Sequence, residues 1–128
     1  LGMAFAAPGI IALMNRIKYP YNLSSLTQQT ALKLLEKNQE KEQWVKTLLE
    51  QREWLSRELE KNPVVEKVWP SDGNFLLVKV KGAKAIYNHL TKKGIVVRDR
   101  SRILLCEETL RITVGTPEEN KLLVKEHY

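Results

Sequence analysis

IVVRDRSRILLCEETLRITVGTPEEN, residues 95–120, is the stretch of sequence that decides the fold. It predicts two short strands joined by a charged loop, and a helix that begins directly after the second strand. The second strand, residues 110–114, alternates apolar side chains with Arg111 and Thr113, so one face is apolar and the other carries a guanidinium. The first strand alternates in the same way and ends in Arg98. Both strands are therefore predicted to be half-buried members of a sheet.

The two arginines are the candidate functional residues of this stretch. If both strands lie in one sheet with their apolar faces down, Arg98 and Arg111 emerge together on the opposite face. A guanidinium is planar and permanently charged, and it binds two oxygens of a carboxylate or a phosphate at once. The pair therefore indicates an anion-binding site, although two ordinary solvated sheet residues would give the same spacing.

Composition limits the class of protein. The chain has 128 residues, of which 43% are hydrophobic and 28% charged, which is typical of a globular domain with a real core. Cys106 is the single cysteine, so an intramolecular disulfide is excluded and a reducing, cytoplasmic location is expected. His89 and His127 lie far apart and have no metal-ligand spacing, so no metal site is predicted. The net charge of +6 is spread through helices that also carry glutamates, so nucleic-acid binding is not predicted.

The beginning of the chain is an apolar run, LGMAFAAPGIIALM. It has no basic region before it and no uninterrupted apolar span of about 18 residues, so neither a signal peptide nor a membrane helix is predicted. Residues 1–6 are predicted to form a buried strand. A start within a strand, without an initiator methionine, predicts that the chain is a piece of a longer protein.

The first half of the chain predicts helices. Pro8 opens a helix over residues 9–18, and Ser25 with Gln28 forms a capping-box pattern for a helix that ends near Asn38. A longer helix is predicted over residues 41–61, with the side chain of Trp54 either partly exposed or in contact with a domain or subunit outside this chain. The predicted core positions of these helices are Leu26, Ala31, Leu34, Leu35, Trp44, Leu48, Leu55 and Leu59.

The second half predicts strands and helices in alternation. Strands are expected over residues 64–69 and 75–81, and the second has Leu76, Val78 and Val80 on one face. A helix is expected over residues 83–93 that stops at Gly94, with one side formed by Ala83, Ile86, Tyr87 and Leu90. Thr116 and Glu119, with proline between them, form a capping box for the last helix. Strands that return on themselves between helices predict an α+β fold, a short and mostly antiparallel sheet covered by helices and preceded by long linking helices.

Four motifs carry a resemblance to a known family. The segments LGMAFAAPGIIALMNRIKYPYN, SDGNFLLVKV, VRDRS and LRITVGTPEEN occur in this order, and together they span nearly the whole chain. The chain resembles the C-terminal end of the histidinol-phosphate aminotransferases, which are fold-type I enzymes that use pyridoxal 5'-phosphate. The resemblance implies a domain division into residues 1–22, a remnant of the large cofactor domain, residues 23–62, the linking helices, and residues 63–128, the small C-terminal domain. With its sheet partners missing, the N-terminal part is expected to be rearranged, swapped between chains or hidden in an oligomer.

The same resemblance implies the activity of the longer parent. It is expected to transfer an amino group between histidinol phosphate and 2-oxoglutarate, giving imidazole acetol phosphate and glutamate in histidine biosynthesis. The parent is expected to be a cytoplasmic homodimer. The Schiff-base lysine of the family lies upstream of Leu1 and no lysine here matches its motif, so no catalytic residue is predicted in this chain. We expect the chain alone to be inactive and to bind no pyridoxal phosphate.

Residue roles are also implied by the resemblance. Arg111, in LRITVG, matches the family arginine that binds the α-carboxylate of glutamate and the phosphate of histidinol phosphate. Arg98, in VRD, matches a second arginine near the substrate anion. Tyr21 and Asn22 match a family motif at the subunit interface or the edge of the active site, although a structural role at a helix entry is an equal interpretation. Asp99, Arg100 and Arg102 are expected to be loop charges.

Two alternatives stay open at this point. The VRD and arginine-strand pattern is shared with other fold-type I enzymes, such as the threonine-phosphate decarboxylases, and only substrate-contact residues upstream would separate the two. The chain could also be a free-standing module that binds a small molecule or a protein partner, against which the start within a predicted strand is the main argument.

Overall fold

A computed structural model describes residues 2–126 of the chain, and the described part contains five helices and four strands. The helices are α1 (Pro8–Ile17), α2 (Ser25–Leu35), α3 (Asn38–Glu60), α4 (Ala83–Lys92) and α5 (Pro117–Lys125), and the strands are β1 (Val65–Val68), β2 (Phe75–Val80), β3 (Arg98–Asp99) and β4 (Thr109–Thr113). Contacts divide the chain into two units, Leu1–Glu42 and Gln43–Tyr128, which are described separately below.

The second unit is built on one four-stranded sheet. The strand order is β1-β2-β4-β3, and each neighbouring pair is antiparallel. The predicted α+β class, with an antiparallel sheet and covering helices, is confirmed. The first predicted strand of the deciding stretch is shorter than expected, because only Arg98 and Asp99 pair with β4.

The core lies on one face of this sheet, as the alternation of the strands predicts. In β2 the buried positions are every second residue, and β4 continues the same layer. Helices α3, α4 and α5 contribute apolar side chains to it, so the sheet is covered on this side by helices. The buried core residues are Leu55, Leu59, Leu76, Val78, Val80, Ala83, Ile86, Leu90, Val97, Leu110, Ile112, Val114 and Leu123, with Trp54 packed against them and partly buried.

Helices α4 and α5 both begin with a backbone N–H that donates to a side-chain oxygen. The capping box of α5 is confirmed: Thr116 Oγ1 accepts from the Glu119 backbone N–H, and the Glu119 carboxylate accepts from that of Thr116. The N-cap of helix α4 is Gly82, whose positive φ of 79° suits glycine. Because glycine has no side chain, Gly82 cannot accept a hydrogen bond from the first turn of the helix. The carboxylate of Glu108, distant in sequence, accepts from the Ala83 backbone N–H at 2.7 Å instead.

The helix caps and helix boundaries of the first unit differ from those predicted from the sequence. The N-cap of α2 is Ser24, not Ser25, because its hydroxyl accepts from the Thr27 backbone N–H at 3.1 Å. Asn38 is the first residue of α3 and not a helix stop, so the break between α2 and α3 is two residues long. The sequence did not show which of the two neighbouring serines is the N-cap, since a serine at either position can cap the helix.

The predicted strand at the N-terminus is also wrong. Residues 2–7 form neither helix nor strand, and Leu1 lies outside the described residues. A strand requires a neighbouring strand for its backbone hydrogen bonds, and none of the four described strands pairs with this segment.

Helices α1 and α2 bury no residue, so the predicted core positions in α2 are wrong. Ala31 is half-buried, whereas Leu26, Leu34 and Leu35 are exposed, and so is Trp44 at the start of α3. Their helical spacing is that of an amphipathic helix, but the spacing does not identify the surface against which the apolar face packs.

Among the described helices, none is long and apolar enough to cross a membrane.

Candidate anion-binding site

Arg98 and Arg111 are brought together by the pairing of β3 with β4. Their Cα positions are direct cross-strand partners, so both residues belong to the face of the sheet opposite the core. Arg111 stands in the middle of β4, between Leu77 of β2 on one side and Arg98 of the edge strand on the other. A guanidinium can bind two oxygens of an oxyanion at once, so two arginines on adjacent strands are a candidate anion-binding site.

Arg111 is half-buried and lies over an aromatic ring. Its guanidinium carbon is 5.4 Å from the ring centroid of Phe75, within cation–π range. Its Nε is buried and has no hydrogen-bond partner within residues 2–126, and Arg111 forms no ion pair with a carboxylate in that range. The charge is therefore not neutralised by a described neighbour, and the guanidinium is available to an anion.

Arg98 is exposed and borders a surface cavity of about 380 Å³. Helix α4 contributes Lys84 and Tyr87 to this cavity, and the loop after β3 contributes Arg102. The Nζ of Lys84 lies 5.0 Å from the centroid of the Tyr87 ring. The sequence had assigned these α4 residues only to a helix, because their proximity to Arg98 depends on how α4 packs beside β3.

Among the described residues, Asp99 is the one carboxylate that lines the same cavity. The backbone N–H of Ser101 donates to its Oδ1 at 3.0 Å, and this hydrogen bond holds the pKa of Asp99 below its ordinary value. Lys84 and Arg102 lower the pKa further, whereas partial desolvation opposes the shift. Asp99 is thus ionised at neutral pH, and it orders the loop between the two arginine strands.

We predict that Asp99 contributes to stability in a pH-dependent way. Because its pKa is lower in the folded than in the unfolded chain, its contribution is present above the ordinary aspartate pKa and is lost as the pH falls through the folded value. The free energy of unfolding should therefore fall less between pH 7 and pH 3 in Asp99→Asn than in wild type. Urea unfolding at both pH values measures the difference, and equal falls in the two proteins would contradict the prediction.

Tyr21 and Asn22 lie in the first unit, in the connection between α1 and α2. Tyr21 has a positive φ of 55°, and the residue is 99% exposed. Left-handed backbone is unusual for a tyrosine and fits a tight turn at a helix entry. The structure therefore places Tyr21 in a turn and Asn22 directly after it, and their assignment to an interface or to an active-site edge stays a prediction.

Asn120 is a supporting residue that the sequence interpretation missed. It is 2% exposed, and its Oδ1 accepts from the Gly115 backbone N–H at 2.9 Å. Its Nδ2 donates to the Gly115 carbonyl at 3.1 Å and to Gln51 Oε1 of α3 at 3.0 Å. One side chain thus fixes the end of the strand that carries Arg111. The sequence could have indicated this role, because asparagine is unfavourable inside a helix unless its side chain forms specific hydrogen bonds, and Asn120 lies in the first turns of α5.

The remaining candidates for chemistry are the two histidines and the single cysteine. No three His, Cys, Asp or Glu side chains within residues 2–126 come together in a way that could hold a metal ion. His89 Nε2 lies 3.5 Å from the carboxylate of Glu126, while His127 lies outside the described residues. Cys106 is half-exposed and reduced.

Comparison with known proteins gives a family match and several relatives of similar sequence. The family model of class I and II aminotransferases matches residues 1–126. The chain is 52% identical over 124 residues to a histidinol-phosphate aminotransferase of Bacteroides fragilis and 46% identical over 124 residues to one of Cytophaga hutchinsonii. In both cases the match covers 97% of this chain and 36% of the relative. The chain therefore spans about a third of the length of these relatives.

Solved structures agree on the fold. The structure of the histidinol-phosphate aminotransferase from Clostridium acetobutylicum matches 93% of this chain and 36% of that protein, with a TM-score of 0.86 and 20% identity. The L-threonine-O-3-phosphate decarboxylase from Porphyromonas gingivalis matches 94% of this chain and 38% of that protein, with a TM-score of 0.73 and 22% identity. At these identities the two structures show a shared fold and do not separate the two activities.

Proposed function

Since the chain belongs to the class I and II aminotransferase family, we propose that it is the C-terminal part of a histidinol-phosphate aminotransferase. The complete enzyme would transfer an amino group between histidinol phosphate and 2-oxoglutarate. The observation that carries the proposal is the pairing of Arg98 with Arg111 across adjacent strands, in a chain that is 52% identical to enzymes of that name.

Arg111 is proposed to bind the substrate anion. The reaction alternates between two substrates with different anions, since glutamate has an α-carboxylate and histidinol phosphate has none and offers its phosphate. A planar guanidinium presents parallel N–H donors that match two oxygens of either group, so one residue can serve both half-reactions. The free charge of Arg111 and its rigid position on β4 suit this task.

Arg98 is proposed to add a second positive charge beside the same anion. It stands on the edge strand and is more exposed than Arg111, so its attraction is more strongly screened by solvent. We therefore expect Arg98 to contribute less to substrate binding than Arg111.

Pyridoxal phosphate is proposed to be bound by a part of the complete enzyme outside this chain. When bound it would serve as the electron sink for amino transfer. No lysine of this chain matches the family motif of the Schiff-base lysine, which supports a cofactor site outside this chain. We propose that the chain alone binds no cofactor and has no aminotransferase activity.

The other partners are proposed from the family. The complete enzyme would be a cytoplasmic homodimer that acts on small molecules, without a role in nucleic-acid or membrane binding. The apolar side chains left exposed on α1 and α2 support a larger assembly, since contiguous exposed apolar surface marks an interaction site. Sedimentation of the complete enzyme tests the dimer.

The experiment that tests the function is expression of the complete reading frame, with this chain expressed alone in parallel. The complete enzyme should form glutamate from histidinol phosphate and 2-oxoglutarate and show the absorbance of a bound pyridoxal Schiff base. The chain alone should show neither. Failure of the complete enzyme to transfer the amino group would overturn the proposal, and cofactor absorbance at a defined ratio to the chain alone would overturn the assignment of the cofactor site.

A second candidate function is decarboxylation of a threonine phosphate. It is supported by the shared fold with the Porphyromonas gingivalis decarboxylase, which has a lower TM-score than the histidinol-phosphate aminotransferase. Incubation of the complete enzyme with L-threonine-O-3-phosphate would decide, since release of carbon dioxide requires this second activity.

A further inference from the structure

We infer that Phe75 is a positioning residue for Arg111, and that its ring holds the guanidinium in the orientation that receives the substrate oxyanion. The inference rests on the proposed function in one respect, because it takes Arg111 as the group that binds the anion. It assigns a role to an aromatic residue that the sequence interpretation had placed only at the start of a strand.

The sheet places Phe75 and Arg111 as diagonal neighbours on one face. Phe75 is the register partner of Thr113, and Leu77 is the partner of Arg111, so the two side chains lie on the face opposite the buried Leu76. Diagonal neighbours of an antiparallel pair are within reach of long and aromatic side chains. The observed distance of 5.4 Å from the guanidinium carbon to the ring centroid shows that the contact is made.

The ring of Phe75 packs closely against the turn that contains Gly73. A Cβ at Gly73 would lie 3.1 Å from Cε1 and 3.3 Å from Cδ1 of Phe75, so a side chain at this position would press against the ring. The Gly73 backbone N–H donates to Ser71 Oγ, and the Gly73 carbonyl accepts from Arg52 Nη1 of α3 at 3.0 Å. These two hydrogen bonds connect Gly73 to Ser71 within the turn and to Arg52 of α3, and they fix the position of the turn against the ring.

Arg111 needs such a support because nothing else described holds its head group. Within residues 2–126 its buried Nε has no hydrogen-bond partner and no carboxylate pairs with it. An arginine side chain has many rotamers, and fixing it only when the ligand arrives would weaken binding by the entropy lost. A ring on one side restricts these rotamers without neutralising the charge, which leaves the N–H edge free for an oxyanion.

The chain itself allows a test that does not depend on the enzyme's activity. In NMR spectra of the 128-residue chain, the Nε–H proton of Arg111 should carry a ring-current shift from Phe75. Phe75→Leu should abolish this shift and speed exchange of the proton with water, whereas Phe75→Tyr should restore wild-type behaviour. Trp69→Leu is the matched control, since it removes a second ring that lies near a cation, with its centroid 5.2 Å from the Nζ of Lys67 in β1. An unchanged Arg111 signal in Phe75→Leu, or an equal change in Trp69→Leu, would overturn the inference.

The complete enzyme supplies the second readout. Phe75→Leu should raise KM for histidinol phosphate and glutamate by roughly fivefold, the size of one cation–π contact, and change kcat little. Phe75→Tyr should keep the wild-type KM. A KM in Phe75→Leu equal to that of wild type, in an enzyme whose Arg111→Ala variant is impaired, would overturn the positioning role. If Arg111→Ala is itself unimpaired, the proposed function of Arg111 fails, while the NMR result still decides whether Phe75 orients it.

Discussion

Replacing Arg111 by alanine is expected to lower kcat/KM of the complete enzyme by roughly 30- to 1,000-fold for both substrates, equivalent to about 2–4 kcal/mol of transition-state binding. The physical reason is the loss of a charge-assisted, two-pronged contact to the substrate anion in a half-buried position. Because one guanidinium is proposed to serve both the carboxylate and the phosphate, both half-reactions should be impaired. Steady-state kinetics with each substrate varied in turn measures the effect.

Two further variants separate geometry from charge. Arg111→Lys keeps the charge but loses the planar fork, so it should recover only part of the efficiency. Lys79→Ala is the matched control: it removes a positive charge from the same sheet face, where Lys79 lies 3.6 Å from Glu66, and efficiency should stay near that of wild type. Wild-type efficiency in Arg111→Ala would refute the role of Arg111, and an equal loss in Lys79→Ala would show that only the overall field of the sheet matters.

Replacing Asn120 by alanine is expected to destabilise the chain by about 2–4 kcal/mol. The variant loses three hydrogen bonds and leaves the N–H and carbonyl of Gly115 and the side chain of Gln51 without their partner at partly buried positions. Since Gly115 follows the strand that carries Arg111, the loss should also loosen the anion site. Urea unfolding of the 128-residue chain at constant pH measures the change in free energy.

The controls for this prediction use the same residue type. Asn88→Ala removes an exposed asparagine of α4 and should change the unfolding free energy by no more than about 0.5 kcal/mol. Asn120→Asp keeps an acceptor for the Gly115 N–H but loses both donated hydrogen bonds and buries a charge, so it should be at least as harmful as alanine. Equal stability of Asn120→Ala and wild type would show that the three hydrogen bonds contribute no net stability.

Much of the second unit was predictable because its signals are local. Alternation in β2 and β4 predicted their buried faces, and the spacing of Ala83, Ile86 and Leu90 predicted the buried side of α4. The capping box of α5 needs only residues that are three positions apart. In each case the interacting groups are close in sequence, so the pattern and the structure are linked by fixed helix or strand geometry.

The first unit was harder to predict for the opposite reason. The apolar stripe of α2 is present in the sequence, yet its residues are exposed in the described chain. An amphipathic pattern predicts that a helix has an apolar face but does not identify its cover. The strand expected at residues 1–6 failed in the same way, since a strand exists only with a partner.

The sequence by itself determined the helices and strands of the second unit, its α+β class and the identity of Arg111 and Arg98 as the candidate anion-binding residues. Only the tertiary structure decided the strand order, the position of Phe75 beneath Arg111, the cap that Glu108 supplies to α4 and the three hydrogen bonds of Asn120. The first group depends on the 3.6- and 2-residue periods of the chain and on the chemistry of single side chains. The second depends on contacts between residues far apart in sequence, which form only when the whole sheet and its helices pack together.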